Sequence, residues 1–86
     1  MSKRRDYTSE ELNIIFAKGL LRRNPLNGKI ETTDFEGHII KRLDYGDVSS
    51  YFGWEVDHID KVKDGGSDDI SNLRPRWIPA NRADNE

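Results

Sequence analysis

Cysteine is absent from this chain of 86 residues. A chain without thiols can form no disulfide, no thiolate zinc site and no cysteine nucleophile. Long apolar runs are missing as well, since no stretch approaches the roughly 20 residues of a membrane-spanning helix. The first residues, MSKRRDYTSEE, lack the apolar segment of a secretory signal. These absences exclude disulfide scaffolds and helical membrane spans, and they predict a cytoplasmic protein.

Apolar content and net charge are both low. Hydrophobic residues make up 34% of the chain and charged residues 35%, a balance close to that of disordered chains. Two Trp, three Tyr and three Phe argue against disorder, because each aromatic side chain buries a large area. The formal net charge of −2 argues against a protein that binds nucleic acid through overall positive charge. We therefore expect one small domain over residues 1–86, whose modest core would gain stability from a bound ion or partner.

An amphipathic helix is predicted near the N-terminus. Thr8 and Glu11 have the spacing of a capping box. Apolar residues then recur at helical spacing, at Leu12, Ile15, Phe16 and Leu20. The pattern predicts a helix over residues 9–21, within the segment 8–23, that ends before a proline.

The rest of the chain predicts short strands and turns. Residues 24–37 are expected to form an irregular connection, and residues 38–43 a short strand. The sequence GWEVDHI at residues 53–59 has the β-branched and aromatic content of a strand. Three elements are expected to follow: a polar loop at 60–71, a returning strand at 72–74 that Pro75 ends, and a helix at 79–84. The predicted fold class is therefore α+β.

Four polar residues in the last third of the chain can meet at one site: Asp57, His58, Asn72 and Asn81. A hairpin followed by a helix brings them together, provided that the first strand bends, because neighbouring residues on a flat strand face opposite sides. Carboxylate and amide oxygens suit Mg²⁺ or Mn²⁺. An imidazole with an ordinary pKa of about 6.5 can take a proton from water. The residue types therefore predict phosphodiester hydrolysis at a divalent ion.

The stretch GWEVDHIDKVKDGGSDDISNLRPRWIPANR, at residues 53–82, resembles the HNH endonuclease motif, also called the His-Me finger or ββα-metal fold. VDHI, GGSD, NL and NR at these spacings make a specific signal. Upstream, Asp34 and Tyr45-Gly46 are similar to the small cysteine-free type of this family from bacteria and phages. The resemblance covers residues 17–86, and it implies a ββα-metal core, made of a β-hairpin and a C-terminal helix, over residues 53–86.

The resemblance implies a role for each of the four polar residues. His58 would be the general base, and Asn72 would hold the metal loop and help to orient the base. Asp57 and Asn81 would be the ligands of one divalent ion, with Mg²⁺ or Mn²⁺ favoured. The implied activity is cleavage of DNA, with nicking as the expected outcome and a 5′-phosphate and a 3′-hydroxyl as products. The implied compartment is the cytoplasm of a bacterium or of a phage-infected cell.

Three arginines beside the predicted site form a local basic patch: Arg74, Arg76 and Arg82. They suit contacts with DNA phosphates, and an ordinary charged surface is the alternative. Residues 1–7 predict a flexible tail, whose basic side chains could add a contact with the DNA backbone: Lys3, Arg4 and Arg5. The chain departs from the family at Lys61, where proline is frequent, and at the acidic Asp84.

Several other polar and aromatic residues have structural interpretations. His38 has no partner at metal-ligand spacing and is predicted to be structural. Trp54 is predicted to pack in the core, whereas Trp77 could pack there or stack on a base. The loop aspartates miss the spacing of a calcium site and are predicted to be solvated: Asp60, Asp64, Asp68 and Asp69.

Two further functions compete with a DNA endonuclease. The first is a module of the same fold that binds nucleic acid or protein, with a weak or silent site. Plasmid nicking with Mg²⁺ or Mn²⁺ would separate it from an enzyme. The second is a subunit of a larger phage or restriction complex, in which a protein partner supplies the DNA affinity. In that case activity would appear only with the partner present.

Overall fold

The N-terminal helix begins as predicted and ends earlier. In the computed structural model, which describes residues 6–84, helix α1 spans Ser9–Phe16. Its capping box is formed, because Thr8 Oγ1 accepts from the backbone N–H of Glu11 at 3.1 Å and Glu11 Oε1 accepts from that of Thr8 at 3.0 Å. The prediction of a helix to residue 21 is wrong, since the chain turns at Gly19. Most of the predicted tail, residues 1–5, lies outside the described residues.

A three-stranded antiparallel sheet follows α1, in the order β1-β2-β3. Its strands are β1 Leu20–Arg23, β2 Ile30–Thr33 and β3 Ile39–Ile40. The connection predicted over 24–37 therefore contains a strand. This strand, β2, forms because its backbone pairs with that of β1 across a turn, with Leu20 opposite Thr33 and Arg23 opposite Ile30. All four residues of β1 are exposed. Neither face of the strand is buried, so its sequence lacks the apolar–polar alternation that would predict a strand.

The strand pair predicted in the last third of the chain is confirmed. Strands β4 Trp54–His58 and β5 Leu73–Trp77 form a two-stranded antiparallel sheet. The prediction that Pro75 ends the second strand is wrong, because β5 continues through it. Both strands of a two-stranded sheet are edge strands, where a residue without an N–H is tolerated. Helix α2, Ile78–Asp84, follows β5 directly, which completes the ββα arrangement of an α+β fold.

The core lies on one face of the β4–β5 hairpin. Its buried side chains come from α1 and from both sheets: Leu12, Ile15, Ile40, Trp54 and Leu73. Trp54 is fully buried, which confirms its predicted place in the core. The opposite face of the hairpin carries charged residues and contacts α2. Among residues 6–84, neither helix is long and apolar enough to cross a membrane.

Candidate active site

Side-chain alternation gives the two faces of the hairpin different chemistry. Glu55 and Asp57 share the face that also carries Arg74 and Arg76, their cross-strand partners. On this face, strand residues and side chains from α2 and from two loops form a set of ion pairs that we call the ion-pair layer: Glu36, Glu55, Asp57, Lys61, Arg74, Arg76, Arg82 and Asp84. The arginines of this layer were predicted from the sequence, but of their carboxylate partners only Asp57 was.

Asp57 lies within the ion-pair layer, and cations contact both of its oxygens. Its side chain is 1% exposed. Lys61 Nζ lies 2.8 Å from Oδ1, and Arg74 Nε lies 2.9 Å from Oδ2. Arg76 adds a third positive charge, 4.0 Å from Oδ2. A buried carboxylate needs such partners, because an unpaired charge is costly away from water.

Asn81 reaches the same layer from α2 and is also buried. Its Nδ2 donates to Glu55 Oε1 at 3.2 Å, and Arg82 NH2 donates to Glu55 Oε2 at 2.9 Å. The sequence analysis missed Glu55. Its position two residues before Asp57 on a strand was the available signal, since residues i and i+2 share a face.

His58 ends β4 and contacts the loop that follows. Its Nε2 lies 2.6 Å from Asp68 Oδ1. The ladder continues through His58, opposite Leu73, and the chain bends only at Ile59 and Asp60. The bend that a shared site requires therefore follows His58 instead of falling within Asp57-His58, and the two side chains have separate partners, one in the ion-pair layer and one in the loop. Asp68 was predicted only to be solvated, but its carboxylate contacts the imidazole of His58.

Asn72 closes the loop between β4 and β5. Its Oδ1 accepts from the backbone N–H of Asp60 at 2.8 Å, and its Nδ2 donates to the carbonyls of Asp60 at 3.0 Å and Ser67 at 2.7 Å. Two glycines shape the same loop for different reasons. Gly65 has a φ of 90°, which L side chains rarely adopt. A Cβ on Gly66 would collide with the carbonyl oxygen of Asp60.

The three arginines of the predicted DNA-binding patch are each paired with a carboxylate. Arg74 bonds Asp57 and lies over the Phe35 ring, 3.7 Å from its centroid. Arg82 bonds Glu55, which raises the pKa of its guanidinium. These pairs occupy the groups that phosphates would contact.

Arg76 is the most enclosed of the three. It bonds Glu36 at 2.9 Å and Asp84 at 2.8 Å. Burial alone would lower the pKa of Arg76, but the bonds to Asp84 and Glu36 outweigh it and raise the pKa. The same bond from Arg76 lowers the pKa of Asp84.

A second cluster corrects the expectation that His38 has no partner at ligand spacing. Ligand atoms of Asp34, Glu36 and His38 lie within 4.8 Å of one another, close enough to hold a metal ion. The His38 Nδ1 lies 3.0 Å from Asp34 Oδ2, and its ring stacks on Trp77 with centroids 4.4 Å apart. Asp34 is buried and also accepts backbone N–H groups. These bonds tie the cluster into the fold, and its three ligand atoms are also close enough together to hold a metal ion.

The ion-pair layer has the donor chemistry of a site for a hard cation. Asp57 and Asn81 bring a carboxylate and an amide from β4 and α2 to the same layer, beside the carboxylate of Glu55. Oxygen donors of this kind fit Mg²⁺ or Mn²⁺. The ammonium of Lys61 and the guanidinium of Arg74 are the competitors that such an ion would meet.

Comparison with known proteins finds one similarity, which lies mainly on the hairpin. The family model of the HNH endonucleases matches residues 46–76, which confirms the predicted resemblance over that segment. The match includes all of β4, the loop and most of β5, and it ends before α2. No curated protein and no solved structure matches the chain. A match to this family indicates a nuclease-type function that involves a metal ion, and HNH nucleases act on DNA.

Proposed function

We propose that this chain, whose residues 46–76 match the HNH endonuclease model, is a divalent-metal-dependent endonuclease that hydrolyses phosphodiester bonds of DNA, with nicking as the main outcome. The match carries the proposal, because it falls on the hairpin whose first strand ends in Asp57-His58 and on the loop closed by Asn72. Lys3, Arg4 and Arg5 remain candidates for an additional contact with the DNA backbone.

His58 acts as the general base. A proton on Nε2, donated to Asp68 Oδ1 over 2.6 Å, leaves the lone pair on Nδ1, since a neutral imidazole carries one proton. Nδ1 then takes a proton from water as the water oxygen attacks phosphorus. The bond from phosphorus to the 3′ oxygen breaks and the leaving oxygen takes a proton from solvent water, which yields a 5′-phosphate and a 3′-hydroxyl.

Asp57 and Asn81 would hold the ion, which would supply stabilisation of negative charge on the phosphate and the leaving oxygen. Asn72 keeps the loop closed, so that Asp68 stays in reach of His58. Arg74, Arg76 and Arg82 belong to this layer and can contact phosphates when they exchange a carboxylate partner.

Supercoiled plasmid incubated with Mg²⁺ or Mn²⁺ tests the proposal. The native chain should convert it to nicked circles, and His58→Ala should lower the rate about 10²-fold or more, because that is the contribution of a general base. His38→Ala is the matched control, since it removes the other imidazole of the chain. Equal rates for native chain and His58→Ala would refute the mechanism.

Calorimetry with Mn²⁺ tests the ligands separately from catalysis. Asp57→Ala should abolish binding and Asn81→Ala should weaken it, because each removes an oxygen donor. Asp69→Ala, in the exposed loop, controls for the loss of one negative charge. Unchanged affinity in both ligand variants would refute the assigned site.

A second candidate is a binding module or a subunit of a larger phage or restriction complex. The contact of cations with both oxygens of Asp57 favours it, because the pairs must open before a divalent ion binds. Nicking that appears only with a protein partner would support this candidate.

A further inference from the structure

Lys61 contacts one carboxylate oxygen of Asp57, the residue proposed as a ligand of the divalent ion. Its Nζ lies 2.8 Å from Oδ1, and its side chain is 25% exposed. The same Nζ lies 3.6 Å from Asp84 Oδ2. The ammonium therefore sits between a buried carboxylate and an exposed one, at the edge of the ion-pair layer.

The formal charge of the ion-pair layer is already balanced. Its four carboxylates are paired with one lysine and three arginines. A divalent ion added to this set would leave two uncompensated positive charges in a partly buried place. Such an excess is unfavourable, and it falls when one cation leaves.

Of the three cations that contact Asp57, Lys61 can leave at the lowest cost. Arg74 extends from β5 and is stacked on Phe35, and Arg76 is enclosed by two carboxylates. Lys61 belongs to the loop after β4 and has a flexible stem. Asp84, whose side chain is 51% exposed, offers its ammonium a second partner closer to solvent.

We propose that the Lys61 ammonium is a resident cation that competes with the divalent ion for Asp57, so that the lysine must swing away before the ion binds. The inference rests on the proposed function, from which it takes the ion and its ligand. It predicts that the native chain binds metal weakly and that loss of the ammonium strengthens binding.

The test is the affinity for Mn²⁺ alone, measured by titration calorimetry and by electron paramagnetic resonance of the free ion. Lys61→Met removes the ammonium and keeps an apolar stem. Lys63→Met is the matched control, because it removes the same charge from an exposed position two residues away. We expect about tenfold tighter binding in Lys61→Met, equivalent to about 1.4 kcal/mol, and less than a twofold change in Lys63→Met.

Two results would overturn the inference, and they are distinguishable from each other. Equal affinity in the native chain and in Lys61→Met, with binding lost in Asp57→Asn, would reject the competition and leave the proposed metal site intact. No binding of Mn²⁺ in Lys61→Met, with a native circular dichroism spectrum, would reject both. An increase in Lys61→Met that Asp57→Asn abolishes in the same background would support the inference.

Discussion

Asp34 ties the turn after β2 to β5 through one buried carboxylate. It accepts the backbone N–H groups of Glu36 and His38 on Oδ1 and that of Trp77 on Oδ2, at 2.9 to 3.0 Å. Burial alone would raise the pKa of Asp34, but the bonds from Trp77 and His38 outweigh it, so the pKa lies below its ordinary value of 3.8. The charged form of this residue therefore stabilises the fold.

The lowered pKa of Asp34 predicts a pH dependence of stability. A carboxyl with a lower pKa in the folded state adds stability above its unfolded pKa and loses it as pH falls through the folded value. The native chain should lose stability as pH falls below about 4. Asp34→Asn should lower the free energy of unfolding by about 2–3 kcal/mol at pH 6, because it weakens hydrogen bonds to a charged group. It should also make stability less dependent on pH in the acid range.

Urea unfolding between pH 2.5 and 6 measures both effects. Asp69→Asn is the control, since Asp69 is exposed in the loop, and it should leave the pH profile unchanged. An equally steep acid loss in Asp34→Asn would assign the pH dependence to other carboxylates.

The loop between β4 and β5 holds the surroundings of the proposed site in place. Asn72 closes it, while Gly65 and Gly66 let it fold back on Asp60 and Lys61. Gly65 is required by its positive φ angle, whereas Gly66 is required because a side chain has no room there. The two glycines of the GGSD motif are therefore not interchangeable.

We expect Gly66→Ala to destabilise the chain by at least about 2 kcal/mol, because the new carbon overlaps backbone atoms that cannot rotate away. Thermal unfolding followed by circular dichroism measures the change. Gly28→Ala is the matched control: it has a φ of 70°, and a Cβ there meets nothing within 4 Å. It should cost only about 1 kcal/mol, for the left-handed backbone. Equal costs for both variants would contradict the steric explanation.

The charge distribution of the whole molecule limits how it can bind DNA. The chain is acidic overall, with a formal charge of −2. Within the predicted patch, the Arg76 side chain is 9% exposed, whereas that of Arg82 is 49% exposed. Arg74 and Arg82 are therefore the members of the patch that can reach phosphates most directly.

The predicted salt dependence of DNA binding follows from those two arginines. The slope of log affinity against log salt should lie between −1 and −2, since each phosphate contact contributes about 0.9. Fluorescence anisotropy of a labelled duplex, without divalent ions, measures the slope. Arg82→Gln should make the slope less negative by about 0.9, whereas Arg22→Gln, on the exposed β1, should leave the slope unchanged. A slope steeper than −3 would assign contacts elsewhere, for example to Lys3, Arg4 and Arg5.

Local patterns predicted the elements whose signals lie within a few residues. The capping box of Thr8 and Glu11 located the start of α1, and the aromatic and β-branched run located β4. The motifs VDHI, GGSD, NL and NR pointed to the family whose model matches residues 46–76. These features depend on neighbours in sequence, so the sequence alone determined them.

Tertiary structure decided what depends on distant partners. Strands β1 and β2 exist because their backbones pair with each other, although apolar periodicity suggested a longer helix. Arg76 and Glu36 are 40 residues apart and still form an ion pair. The pairing of Lys61 with Asp57 depends on how the loop returns after β4. Charge pairing and backbone pairing act through space, and therefore only the fold determined which carboxylate each cation of the site contacts.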